Sequence, residues 1–233
     1  MGISDWGFRI GAQLVEIIDF TMKNALIFLL AACCIASCLQ SGDKKKLPIV
    51  GEPDISPAGD TVYPTIPDFS FMDQDSQIIT NATFKDKIYV VDFFFIHCTT
   101  ICPKVKKNCQ RIYEKYKDDD RIAILSHSID TKHDTVPALR KYANKLNISS
   151  NRWHLVTGPK DAIYGIADNY FIAAKEDTTV TDGFDHSGRL ILVDKSRHVR
   201  AYCEGTDYDE VTRFMNDIDI LLEEQFPPAI SKQ

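Results

Sequence analysis

The sequence predicts an α/β fold, one sheet sandwiched between helices, and three observations carry that reading. Short apolar runs rich in β-branched and aromatic residues recur along the chain, as at Ile88–Ile96, Arg121–Ile129 and Arg189–Val193. Segments with helical periodicity alternate with them, and the chain finishes on a hairpin and a helix. A hydrophobic content of 44% over 233 residues fills one good core, whereas two full domains would be crowded.

Taken in order, Pro67–Phe71 alternates towards a turn at Asp73-Gln74-Asp75-Ser76, and Gln77–Thr80 returns, which makes an N-terminal hairpin. Ile88–Ile96 is too short to span a membrane and too continuously apolar for an edge, so it reads as a buried central strand. Cys98 and Cys102 follow where that strand must stop. Pro103 fixes φ in the first turn of a helix that continues through Lys104–Tyr116. Arg121–Ile129 is a second buried strand, and the loop Asp130–Asp134 leads to Thr135, the expected N-cap of a helix reaching about Leu146. Arg152–Thr157 reads as a strand and Lys160–Tyr170 as a helix. Arg189–Val193 and His198–Cys203 form a hairpin across Asp194–Arg197. Tyr208–Gln225 closes the chain as an amphipathic helix with Val211, Phe214, Met215, Ile218, Leu221 and Leu222 on its inner side.

The N-terminal part reads as an address label. Met22-Lys23-Asn24 is a short positive opening, Ala25–Ala36 is apolar, and Ile35-Ala36-Ser37-Cys38 matches the lipoprotein cleavage pattern. Leu30-Ala31-Ala32-Cys33 fits almost as well, but Cys38 ends the run and precedes a polar, lysine-rich spacer. Acylation of Cys38 would tether the protein to a membrane by lipid. An uncleaved signal anchor is the alternative. Met1–Thr21 suits such a label poorly, and Met22 is the more natural start. The expected organisation is a signal over 1–38, a Pro- and Gly-rich tether over 39–62, a folded domain over 63–227 and a tail over 228–233. The folded part faces outward, in the periplasm of a bacterium.

Three of the seven cysteines belong to the signal, which leaves Cys98, Cys102, Cys109 and Cys203, too few for a disulfide scaffold. Cys109 reads as a small core hydrophobe and Cys203 as the end of a strand. Cys98 and Cys102 differ. At a strand end and helix start, unpaired amides and the positive end of the helix dipole favour thiolate over thiol. With spacing i and i+4 both sulfurs can reach one small ion or each other. A net charge of −6 and a pI near 5.5 supply no basic surface, which excludes nucleic-acid binding.

Phe93-Phe94-Phe95-Ile96-His97-Cys98-Thr99-Thr100-Ile101-Cys102-Pro103, then Ser128-Ile129-Asp130 with Asp134-Thr135, then Asp185-His186-Ser187 before a strand ending Val193-Asp194, resemble the Sco/SenC family in order and spacing. The likeness covers about Pro64 to Phe226. It implies a thioredoxin-like three-layer sandwich, anchored at a membrane, that binds copper and helps to assemble the binuclear copper centre of cytochrome c oxidase. It also implies that Cys98, Cys102 and His186 are the metal ligands and that the oxidase's copper-binding subunit is the partner, with other thiol-redox or copper-carrier proteins as further candidates. Thr99 and Thr100 stand where many members have a proline and an acidic residue, and Thr131 where a proline usually follows the aspartate.

The donor chemistry agrees with that trio, since two thiolates and one imidazole make a soft set suited to cuprous ion and tolerant of cupric ion. A structural zinc site would normally close with a fourth ligand. Asp185 either orients the His186 ring or is solvated. His97 is expected to point away from Cys98 or to tune its acidity. His127, His133, His154 and His198 read as strand or loop residues without partners, and Asp130 and Asp134 as a cap or loop staple. Three functions compete: a copper metallochaperone; a thiol–disulfide oxidoreductase using Cys98 and Cys102 as its redox pair; and, ranked last for want of a threonine and proline before Cys98, a thiol peroxidase.

Overall fold

The structure, a computed structural model, describes residues 45–148, 151–172, 174–176 and 184–227, with the backbone alone for 174–176 and 184–186. The expected signal with Cys33 and Cys38, the stretch 1–21 and the tail 228–233 lie outside the described residues. Eleven strands are described: β1 (Asp54–Ile55), β2 (Thr61–Val62), β3 (Ser70–Asp73), β4 (Ile78–Thr80), β5 (Ile88–Phe94), β6 (Ile122–Ser128), β7 (Trp153–Thr157), β8 (Ala174–Glu176), β9 (Phe184–His186), β10 (Arg189–Val193) and β11 (Val199–Glu204). Four α-helices accompany them among the described residues: α1 (Cys102–Lys115), α2 (Val136–Leu146), α3 (Lys160–Asn169) and α4 (Tyr208–Gln225).

Seven strands form the main sheet in the order β11-β10-β5-β6-β7-β3-β4. β5, β6 and β7 run parallel at its centre, and β10 and β3 flank them antiparallel. All seven residues of β5 and all seven of β6 are buried. Such strands read as continuous apolar runs because both faces of a central parallel strand are covered.

Strand alternation assigns the layers. Asp92 and Phe94 of β5 meet Lys106 of α1 and Tyr142 of α2, and α1 in turn touches α4 through Tyr116 and Asp219. Helices α1, α2 and α4 therefore share one face. On the other, Tyr89 and Phe93 meet Phe84, His127 and Tyr170, the last at the end of α3. The two parallel crossovers, β5 to β6 and β6 to β7, step in one direction across the sheet, so the usual right-handed connection puts α1 and α2 on the same side. The expected three-layer sandwich is present, with its N-terminal hairpin as β3 and β4.

Three differences from the sequence reading are local. β5 stops at Phe94, two residues before the apolar run does, because Ile129 N already bonds Phe94 O while Ile96 N turns to the carboxylate of Asp134. Two short hairpins, β1–β2 and β8–β9, occupy stretches with no strand pattern. Residues 47–50 of the supposed tether are docked: Leu47 is buried, Val50 N bonds Val199 O, and Arg200 binds the carbonyls of Leu47 and Pro48 together with Glu224 and Asp194. Thr135 does sit at the N-cap of α2, but its side chain makes no cap hydrogen bond.

Under α1 lies a buried ionic cluster. Lys106 Nζ is 2.6 Å from Asp92 Oδ2 and 2.8 Å from Ser126 Oγ, with side chains only 2% and 1% exposed for the lysine and aspartate. Ser126 also bonds Asp92, and Trp153 Nε1 donates to Ser126 Oγ at 2.9 Å. The ammonium lies 3.9 Å from the centre of the Phe94 ring. Removing one partner of such a pair strands a charge in an apolar interior. Asp92→Ala is expected to cost about 3–5 kcal/mol in urea unfolding, and the double change Asp92→Leu with Lys106→Met far less; equal losses would show that the pair is not the source.

Candidate functional site: the thiol pair at the head of α1

The site grows from a problem of chain geometry. When β5 ends, its backbone amides leave the sheet while still largely buried, and each needs an acceptor. Ile96 N donates to Asp134 Oδ2 at 3.0 Å, and Ser128 Oγ, at the end of β6, donates to the same oxygen at 2.6 Å. One carboxylate thus ties the ends of two central strands. Cys98 N then closes a turn on Phe95 O at 3.3 Å.

Helix α1 starts with a comparable need. Its N-cap residue, Ile101, has no side chain able to accept from the first turn. The sulfur of Cys98 takes that place: Cys102 N donates to Cys98 Sγ at 3.3 Å, and Thr100 Oγ1 lies 3.6 Å from the same sulfur. Both cysteines are free thiols, 7% and 3% exposed.

These surroundings separate the two sulfurs chemically. Burial alone would raise the Cys98 thiol, but hydrogen bonds from the Cys102 side chain and backbone and from Thr100 outweigh it and hold it below the ordinary cysteine value. Burial pushes Cys102 far up, and the neighbouring Cys98 adds to that, against smaller opposing effects from the Phe95 backbone and Lys106. The arrangement can present one sulfur as thiolate while keeping the other as a protonated reserve.

His186, the third residue singled out, ends β9, paired with Ala174 of β8. Its ring and the side chain of Asp185 lie outside the described residues. The backbone just beyond is described, and it passes the thiol loop: a methyl group on Gly188 would sit 3.4 Å from Ile101 Cδ1. Gly188 O accepts from Gly205 N at 2.9 Å, and Gly205 O accepts from Asn108 Nδ2 of α1 at 2.8 Å. Asn108, two turns along the helix from Ile101, thereby moors the segment that follows His186.

The remaining histidines correct the sequence reading in part. His133 Nδ1 lies 2.9 Å from both oxygens of Asp130, His154 Nδ1 lies 3.0 Å from Asp73 Oδ2, and His198 Nδ1 is 3.6 Å from Asp194. These three have carboxylate partners, supplied by segments too distant or too irregular for periodicity to pair. His127 does lack one: it is fully buried among Phe69, Phe71, Phe93 and Tyr170, and burial pushes its ring down to about 3. His97 is exposed, and Asp134 is the predicted staple. Cys109 and Cys203 are both buried and unbridged. Asp92, Lys106 and Asn108 were missed. The available signal was Asp92, one acidic residue inside an otherwise apolar central strand.

A thiol pair at the junction of a central parallel strand and the following helix, on a sheet of this order, defines a protein of the thioredoxin-like class. Residues 58–222 match the family model described as SCO1/SenC, and the chain belongs to that family. It is 28% identical over 148 residues to the SCO1 protein homolog of Bacillus subtilis, covering 61% of this chain and 77% of that relative. Its fold resembles a SCO1/SenC family lipoprotein from Bacillus anthracis (TM-score 0.63, 23% identity, 68% of this chain and 95% of the other). It likewise resembles BsSco, a member of the Sco family of cytochrome c oxidase assembly proteins in which a disulfide switch was identified (0.60, 22%, 75% and 98%). The copper-bound ScoI of Bradyrhizobium japonicum is a further match (0.55, 20%, 67% and 97%).

The asymmetry of the sulfurs and the mooring at Gly205 can each be tested. Brief treatment of the reduced protein with iodoacetamide, read by peptide mapping, is expected to label Cys98 before Cys102 and to do so down to lower pH, because the Cys98 thiol is held below the ordinary cysteine value and the Cys102 thiol above it. Equal labelling would contradict the asymmetry. Gly205→Ala would place a methyl group 2.4 Å from the backbone oxygen of Gly188. It should cost about 1–3 kcal/mol in thermal unfolding, whereas Gly165→Ala in α3, where nothing lies within 4 Å, should be neutral or stabilising.

Proposed function

We propose that the protein is a copper metallochaperone of the Sco type, holding its cargo between Cys98, Cys102 and His186 and serving the binuclear copper centre of cytochrome c oxidase. The observation that carries this reading is the thiol pair itself: one sulfur accepts the first amide of α1, the other lies in the same helical turn, and the chain just after His186 packs on Ile101 between them. Two sulfurs and an imidazole form a soft donor set for cuprous ion, and three donors leave room for a ligand from an acceptor protein during transfer. Copper bound to the Bradyrhizobium ScoI supports the assignment by family.

The tether reading extends this proposal. Acylation at Cys38 would hold the domain at the outer face of a bacterial inner membrane, with the oxidase subunit beside it; the likeness to a Bacillus anthracis family lipoprotein supports that. Among the described residues no helix is long and apolar enough to cross a membrane.

The difference between the two sulfurs favours a second activity at the same place. In thiol–disulfide exchange, the Cys98 thiolate would attack a partner's disulfide and release one partner thiolate. Cys102, giving up its proton, would then attack the Cys98 sulfur, close an intramolecular disulfide and release the other. Two electrons pass to the partner, whose cysteines are left able to bind copper. This exchange needs both thiols and no imidazole.

Anaerobic titration of the reduced protein with copper(I) decides between the readings. One tight site is expected, weakened by orders of magnitude in Cys98→Ser, in Cys102→Ser and in His186→Ala. Full copper affinity in His186→Ala, with disulfide exchange still dependent on both cysteines, would overturn the chaperone reading in favour of the exchanger.

A further inference from the structure

Beside the thiol pair the structure gathers a second donor set of different character. The ring of His97 and the carboxylates of Asp130 and Asp134 each offer one ligand atom, all within 4.8 Å of one another. Asp134 is fully buried, and its two oxygens have unequal surroundings. Oδ2 accepts from Ile96 N and Ser128 Oγ, whereas Oδ1 is buried with no hydrogen-bond partner. Asp130, also buried, is held in place by His133, whose ring nitrogen and backbone amide both address its carboxylate.

A carboxylate oxygen left bare in the interior, next to a second carboxylate, is costly unless a cation or donor reaches it. Burial and the nearby Asp130 raise Asp134 above the ordinary carboxylate range, against the opposing pull of its two hydrogen bonds and of His97. A metal ion would answer that need, since it would take one oxygen from each carboxylate and a nitrogen of His97 together.

We propose that His97, Asp130 and Asp134 form a binding site for a first-row divalent cation of the zinc class, separate from the thiol pair. One nitrogen and two carboxylate oxygens suit zinc, cobalt or manganese in the divalent state and suit cuprous ion poorly. Calcium would want six to eight oxygens. Ligands of a tetrahedral zinc-sized ion stand about 3.4 Å apart, so the three groups, within 4.8 Å of one another, close on the ion by an inward turn of the exposed His97. The occupied site joins the cysteine loop, through His97, to the β6–α2 loop, through Asp130 and Asp134. Binding would therefore fix the residue directly before Cys98 without using a sulfur. His133 keeps its hydrogen bond to Asp130 and orients that ligand from outside.

The test uses the full chain carrying Cys98→Ser and Cys102→Ser, so that the site is read without the thiol pair and independently of the copper proposal. Cobalt(II) chloride is the probe, followed in the visible and near-ultraviolet. The expected result is a saturable visible spectrum without thiolate charge-transfer bands, displaced by zinc(II). Its affinity should fall at least tenfold on His97→Ala and on Asp134→Asn. The side-chain amide introduced by Asp134→Asn would keep an oxygen for Ile96 N and Ser128 Oγ, and circular dichroism checks that this variant folds; if it does not, the exposed His97→Ala decides alone. Undiminished cobalt affinity in the folded variants, or cobalt bands of thiolate character only, would overturn the proposal.

Discussion

A central strand buried on both faces can be satisfied along its length by its neighbours, but not where it ends. At the end of β5 the chain must turn out of the sheet while still largely covered, and every amide there has to find an acceptor outside the ladder. The acceptors are one carboxylate, Asp134, one carbonyl, Phe95, and one sulfur, Cys98. The reactive thiol is thus part of the solution to a backbone problem. Its position is set by the same hydrogen bond that helps to lower its pKa, so structure and reactivity cannot be altered separately. The tie from Asp134 to both Ile96 and Ser128 extends the constraint to β6. The loop is braced at its root before any ligand arrives.

Below this loop the charge is balanced. Lys106 lies one helical turn after Cys102 and would, unpaired, favour thiolate at both cysteines. Paired with Asp92 and bonded to Ser126, it contributes only a small lowering at Cys102, far less than the burial that raises it. The difference between the two thiols therefore comes from local donors, not from a buried net charge. That division is economical because the helix needs Cys98 to accept an amide, whereas nothing requires Cys102 to ionise until a metal or a partner displaces its proton. The same buried pair fastens α1 to β5 and β6, holding the cysteine-bearing helix against the sheet.

The parts of the fold that were legible in the sequence are those where a periodic pattern runs long enough to average over exceptions. β5, β6 and the four helices lie within two residues of their expected limits because continuous apolar runs, Pro103 and the amphipathic repeat of Tyr208–Gln225 each encode a whole element. The hairpins β1–β2 and β8–β9 have strands of two or three residues, too short for alternation to register. Cys98 and Cys102 were legible because strand, thiols and proline fall in one window. The partners of His133, His154 and His198, and the path from Asn108 through Gly205 to Gly188, were not. The bonds of His154 and Asn108 join residues about 80 and 100 apart and leave no spacing rule in the chain, whereas His133 and His198 meet aspartates three and four residues away in irregular turns, where no helical or strand period applies.

That last path bears on how the segment that follows His186 is held. Gly188 and Gly205 come together in the loops at one end of the β10–β11 hairpin, where the absence of a side chain on Gly205 lets its backbone meet that of Gly188. Asn108 joins this contact to α1 by a single hydrogen bond, and Ile101, at the N-cap of the same helix, would be in van der Waals contact with a methyl group on Gly188. The helix that begins at Cys102 is therefore linked to the segment following His186 in two ways, at Ile101 beside the thiols and, two turns along, from Asn108 through Gly205. Two contacts fix a direction as well as a place. A rigid helix is then the common reference for the thiol pair and for the segment that follows His186, the two parts of the proposed copper site.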